Sequence, residues 1–199
     1  MRRLVIVIVF AFAVLAAGCG GDPRQDADEP DGTFRVEVVD ASFPERQQLS
    51  EPVELKLSVR NGADEALRNV AVTVQTEPEG DNAAISFGQR SSGTGLADSG
   101  RPIWVLDEGP LGGDVANVNT WSAGTLRAGE TRELTWKLVA ARAGTFTLGY
   151  RVSPGLTGRA QAAQGADTSG SFEVTIDDEP VPARVGRDGE VVRGEDPGS

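Results

Sequence analysis

The sequence predicts an all-β body built as an antiparallel β-sandwich of seven to eight strands, and three observations lead there. Apolar and polar residues alternate with period two in segment after segment, which turns one face of each segment toward a core. Turn sequences rich in Gly and Asn separate those segments. No stretch beyond the N-terminal leader holds a helical period.

In chain order, Phe34, Val36 and Val38 alternate with Arg35 and Glu37. Val53, Leu55, Leu57 and Val59 then alternate with Glu54, Lys56, Ser58 and Arg60, the cleanest strand pattern in the chain. Asn61-Gly62 follows as a turn pair suited to positive φ. Val70, Val72 and Val74 make the next strand. Leu134, Trp136 and Leu138, then Phe146, Leu148, Tyr150 and Val152, and last Phe172, Val174 and Ile176 complete the set. A one-residue shift of register would exchange core and surface, so the pattern commits Leu57 and Trp136 to the interior and Lys56 and Lys137 to water. Trp121 is expected in the core beside them.

Composition limits the functions open to this fold. A chain of 199 residues with 39% apolar content can bury one core plus tails. Its net charge is −11, and loss of a leader carrying Arg2 and Arg3 takes it to −13, so nucleic acid and anionic lipid meet a repulsive mean field. Histidine is absent and there is one cysteine, which removes Ser-His and Cys-His nucleophilic sites, the usual zinc sites and any intramolecular disulfide. No Gly-x-Ser-x-Gly elbow occurs, and the Gly88–Gly95 run lacks a P-loop lysine. No enzyme activity and no cofactor are expected.

Residues 1–18 read as a signal peptide: Met1-Arg2-Arg3 is cationic, and Leu4 to Ala17 is apolar but shorter than the roughly 20 residues that span a bilayer. The end of this run, Ala16-Ala17-Gly18-Cys19, resembles the lipobox of bacterial lipoproteins, whose cysteine is lipidated on sulfur and becomes the first mature residue. Ala16 stands where the usual Leu would be, with Leu15 one place early. Ordinary secretion and an uncleaved anchor are the other readings of this segment, and neither explains why the only cysteine falls there. The resemblance implies lipidation at Cys19 and attachment to the extracytoplasmic face of a cell membrane. Residues 19–32, rich in Gly, Pro and carboxylates, are expected to be a flexible acidic tether, and residues 177–199 a disordered acidic tail. Asp177, Asp178 and Glu179 lack the alternating spacing of a calcium loop.

Within residues 33–176, the run Val53 to Val74 followed by Trp121, Gly124, Leu126, Gly129 and Glu130 is similar to the cell-adhesion-related domain found in bacteria (CARDB) and to related conserved-repeat surface modules. Ala141 to Phe146 is similar to their turn before the penultimate strand. The resemblance implies an immunoglobulin-like fold used on cell surfaces as a spacer or binding module, and it transfers no catalytic residue.

The remaining piece, residues 80–119, is expected to be a long irregular insertion with strand-like bits at 84–87 and 102–106, and loops of that length are often functional. Two roles compete for Ile103-Trp104-Val105. It is either a short strand plugging one end of the sandwich, or a ligand loop in which Trp104 stacks on a sugar while Asp107 and Glu108 accept its hydroxyl hydrogen bonds. The leading function is thus a membrane-anchored, non-catalytic module that contacts an envelope protein or polysaccharide. The alternative is a solute- or glycan-binding accessory lipoprotein that uses the 80–119 loop.

Overall fold

The computed structural model describes residues 29–76, 87–89, 102–117, 119–187, 189 and 191–193. The leader, Cys19 and most of the expected tether lie outside these residues. The described strands are β1 (Gly32–Phe34), β2 (Val36–Ser42), β3 (Arg46–Leu49), β4 (Pro52–Asn61), β5 (Ala71–Thr76), β6 (Phe87–Gln89), β7 (Trp104–Leu111) and β8 (Asp114–Asn117). They continue with β9 (Thr120–Ser122), β10 (Thr131–Ala140), β11 (Gly144–Ser153), β12 (Ala160–Ala162), β13 (Ser169–Pro180), β14 (Ala183–Val185) and β15 (Val191–Arg193).

Two large sheets form the sandwich, one in the order β2-β4-β10-β7-β6 and the other β3-β13-β11-β5-β9-β8. The alternation read from sequence sets which faces meet. β10 pairs antiparallel with β4 so that Leu134 faces Leu57 and Trp136 faces Leu55, and all four are fully buried. Between them Lys56 pairs in register with Thr135, and Lys137 with Glu54. Lys56 and Lys137 keep their ammonium groups at the surface, where they form ion pairs with Glu54 at 2.9 Å and Glu108 at 2.7 Å. In the second sheet Leu148, Val152, Val174, Val72 and Val74 turn inward on β11, β13 and β5. Aromatic rings join the two layers: Trp121 of β9 meets Trp136 of β10 edge-on at 5.5 Å, and Trp104 of β7 meets Phe146 of β11 at 6.1 Å.

Several features differ from the expectation. The longer strands are the predicted ones, but three pairings are parallel: β6 with β7, β3 with β13 and β1 with β12. Each joins segments that no tight hairpin connects, which is the condition under which strands can align in the same direction. Asn61-Gly62 is not a positive-φ turn. Asn61 ends β4 fully buried, and the positive φ values of non-glycine residues fall at Ser50, Asn69 and Asn119. Its amide donates to the Glu65 and Leu126 carbonyls at 2.8 and 2.9 Å, and its Oδ1 accepts from the Ala63 N–H at 2.9 Å. The chain after β4 therefore crosses to the other sheet under the control of one amide instead of folding back as a hairpin.

Both expected tails contain ordered chain. Glu29 is buried and Gly32 opens β1, so the acidic tether ends earlier than its composition implies. At the other end β13 runs on to Pro180, Val181 donates to the Leu49 carbonyl at 2.8 Å, and β14 and β15 form a hairpin. Composition misses the contacts of Glu29, β1 and Val181 because their partners are distant in sequence.

Candidate functional site

Trp104 opens β7 with no exposed surface. Its indole N–H donates to Gln47 Oε1 at 2.7 Å, and its ring lies edge-on to Phe43 at 5.4 Å and to Phe146 at 6.1 Å. Gln47, itself buried, is held by donating to the Pro44 carbonyl at 2.9 Å. A ring sealed in this way has no face to offer a sugar, so Trp104 is the plug of the sandwich and not a stacking platform. Asp107 and Glu108 lie further along β7 and are exposed, and Glu108 is engaged with Lys137. That hydrogen bond and charge raise the Lys137 pKa above its ordinary value. The structure thus separates the three residues: the indole points into the core and the carboxylates stand on the surface.

Of the expected insertion, residues 80–86, 90–101 and 118 lie outside the described residues, and most of what is described is strand. β7 and β8 are joined through Gly112, at φ 91°, and Gly113, whose N–H donates to the Pro110 carbonyl at 3.2 Å. The periodicity of this segment is hard to read because the β7 register against β10 shifts twice between Thr135 and Leu138. A bulge of this kind breaks the two-residue repeat on which strand prediction rests.

The Trp121 to Glu130 motif is structural throughout. Trp121 is buried, Gly124 and Gly129 take positive φ of 69° and 74°, and Leu126 exchanges two backbone hydrogen bonds with Leu67 at 2.9 Å. Glu130 closes the turn by accepting from the Arg127 N–H at 2.8 Å. The Arg132 guanidinium donates to the Ala123 carbonyl, to the Thr125 carbonyl at 3.1 Å and to Glu130 Oε1 at 2.6 Å.

A hollow of about 320 Å³ opens on the outer face of the six-stranded sheet. Gly149 lies at its middle, between Gln75 of β5 and Ser171 of β13 in register, and the next row aligns Thr73, Arg151 and Ser169. A Cβ at Gly149 would meet nothing closer than the Gln75 carbonyl oxygen at 3.5 Å, so the missing side chain leaves open space. Among the described residues the exposed Arg151 guanidinium has no hydrogen-bond or ion-pair partner. Tyr150 also borders the hollow, and burial, then the Asp167 charge, pushes its phenol pKa up. The sequence reading did not single out Gly149. The available signal was a glycine inside a strand interior, which marks a bulge, a bend or a close approach.

No family model matches the sequence, and no curated protein matches it. Among solved structures the chain is similar to the CARDB domain of a Pyrococcus furiosus protein crystallised in complex with two metal ions, at 13% identity and a TM-score of 0.45, covering 75% of this chain and 100% of that one. A solution structure of the same domain is similar at 14% identity and a TM-score of 0.44, covering 73% of this chain and 97% of that one. A cohesin module of a family 33 glycoside hydrolase from Clostridium perfringens is similar at 12% identity and a TM-score of 0.42, covering 74% of this chain and 100% of that one. The β-sandwich assignment rests on the two packed sheets themselves.

Proposed function

We propose that this protein is a membrane-anchored lipoprotein of the extracytoplasmic face that displays a non-catalytic immunoglobulin-like module for contact with an envelope protein or polymer. The observation that carries the anchor is the placement of the only cysteine, Cys19, at the end of a short apolar leader behind Ala17 and Gly18. Acylation there gives stable attachment, since two or more chains hold where one is marginal. Support for the contact comes from the hollow around Gly149, where Arg151 stands ready to donate to a partner. The reading that relied on Trp104 as a glycan platform loses its aromatic to the core and is set aside.

Two measurements test the proposal. Cys19→Ser is expected to move the protein from the detergent phase to the aqueous phase, and a variant that partitions as the parent does would replace the lipid anchor with an uncleaved leader. Co-sedimentation with isolated cell envelopes, measured on the unanchored Cys19→Ser form so that acyl insertion does not mask it, is expected and is reduced when Arg151→Ala or Gly149→Val is added, the latter filling the hollow with a residue suited to strands. Equal sedimentation with and without those substitutions would move the contact to another surface.

A further inference from the structure

We infer that the sandwich is held in one polarity on the membrane, with the end formed by residues 62–70, 123–130 and 154–163 facing the headgroups. The inference rests on the lipid anchor proposed above and adds the surface that the membrane meets.

Glu29 is 5% exposed, and its carboxylate accepts three hydrogen bonds from one residue, Thr157. The Thr157 N–H reaches Oε2 at 2.9 Å and Oε1 at 3.2 Å, and the Thr157 hydroxyl reaches Oε2 at 2.6 Å. Gly155 makes room for this latch, because a Cβ there would lie 1.6 Å from Glu29 Oε1. The chain then enters β1, which pairs in parallel with β12. Glu29 and Pro30 border the same depression as Glu65, Ala66 and Arg68, which places the point of exit at the β4–β5 crossing.

Chain length turns this latch into an orientation. Nine residues, Gly20 to Asp28, separate Cys19 from Glu29. Fully extended they span roughly 32 Å, with a root-mean-square reach of about 17 Å. β4 alone, running from Pro52 at the far end to Asn61 at the latched end, measures about 33 Å. The ten steps from Cys19 to Glu29 reach at most roughly 36 Å, so with the latch closed the far end meets the membrane only when the segment is drawn straight, to about twice its root-mean-square reach and at a cost in chain entropy. With the latch open the free segment runs to Asp31 and reaches roughly 43 Å, which passes the length of the body.

Charge selects the same arrangement and disfavours a body lying on its side. At the latched end the two signs balance: Asp64, Glu65 and Glu130 stand beside Arg68, Arg127 and Arg159, with Arg132 at 2.6 Å from Glu130 and Arg35 and Arg60 at 3.1 and 3.7 Å from Glu37. The far end carries Asp177, Asp178 and Glu179 in succession, all exposed, beside Glu45 and Glu51, with Arg46 and Arg142 as the cations there, so its balance is acidic. An anionic headgroup layer repels the second surface and tolerates the first.

The test uses the full acylated chain in vesicles of phosphatidylethanolamine and phosphatidylglycerol that contain a headgroup-linked quencher. A fluorophore is placed at Arg127→Cys or at Asp178→Cys, and flotation is read first. Quenching at position 127 is expected to exceed that at 178 by at least about threefold, since about 33 Å of strand separates the two ends. Glu29→Ala and, independently, Thr157→Val are expected to bring that ratio toward one while the urea transition stays cooperative. Equal or reversed quenching in a floating parent overturns the fixed polarity and leaves the anchor standing, and a ratio unchanged in both latch variants overturns the role of Glu29. A parent that does not float overturns the anchored reading and this inference together.

Discussion

A buried indole N–H is paired or it is not, and the three tryptophans divide on that point. Trp104 donates to Gln47, whereas the N–H groups of Trp121 and Trp136 are buried without a hydrogen-bond partner among the described residues. Trp121 and Trp136 meet edge-on at an interplanar angle of 77°, an arrangement in which ring packing supplies the contact energy. Replacing either Trp104 or Trp136 by Phe removes the same volume, so the difference between the two variants isolates the hydrogen bond. Trp104→Phe strands the buried Gln47 Oε1 and is expected to cost roughly 1–3 kcal/mol more than Trp136→Phe, which also relieves an unpaired donor. Urea midpoints of the two variants measure this, and equal midpoints would show that Gln47 re-pairs. The core placement of Trp136 was legible from alternation, and that of Trp121 from its place beside Gly124 and Gly129. Trp104 as the plug of the sandwich was one of the readings open to the sequence, but its partner was not legible, because Gln47 stands 57 positions away in a segment with no apolar pattern.

Strands with an unbroken two-residue repeat were the legible elements, and β4, β10 and β11 are the plainest cases. The elements that escaped reading are those whose order comes from side-chain hydrogen bonds or from a bulge: the exit from β4, governed by Asn61, and β7, whose register slips against β10. The turn between β9 and β10 was legible in its glycines but not in its charge. The Arg127 N–H, and next the Arg132 guanidinium, hold the Glu130 carboxyl below its ordinary value of 4.5. A carboxyl whose folded pKa is depressed stabilises the fold fully above the unfolded value, and that contribution is lost as pH falls through the folded one. Glu130→Gln is therefore expected to lower the urea midpoint at pH 7, with the gap to the parent closing as pH drops below about 4.5 toward 3. A gap that stays constant with pH would mean that the carboxylate charge contributes nothing to the turn.

At the scale of the whole molecule, an all-β body and its interior were legible, while the pairing of distant segments was not. β1 joins β12 and β3 joins β13, so the N-terminal third of the body is completed only by the C-terminal third. A chain ending at Thr168 lacks β13 and leaves both β3 and one edge of β11 without a neighbour. It is expected to show no cooperative urea transition, and a transition near the parent's midpoint would contradict this topology. The parallel pairings also have a consequence in time. Contacts between segments more than a hundred residues apart make folding slow, because the loop must close before the pairing can repay it. A chain that emerges N-terminus first, from a ribosome or through a narrow pore, therefore has no partner for β1 or β3 until nearly all of it has passed. Until then those two strands stay unpaired, and the body is completed only in the compartment where its last strands arrive.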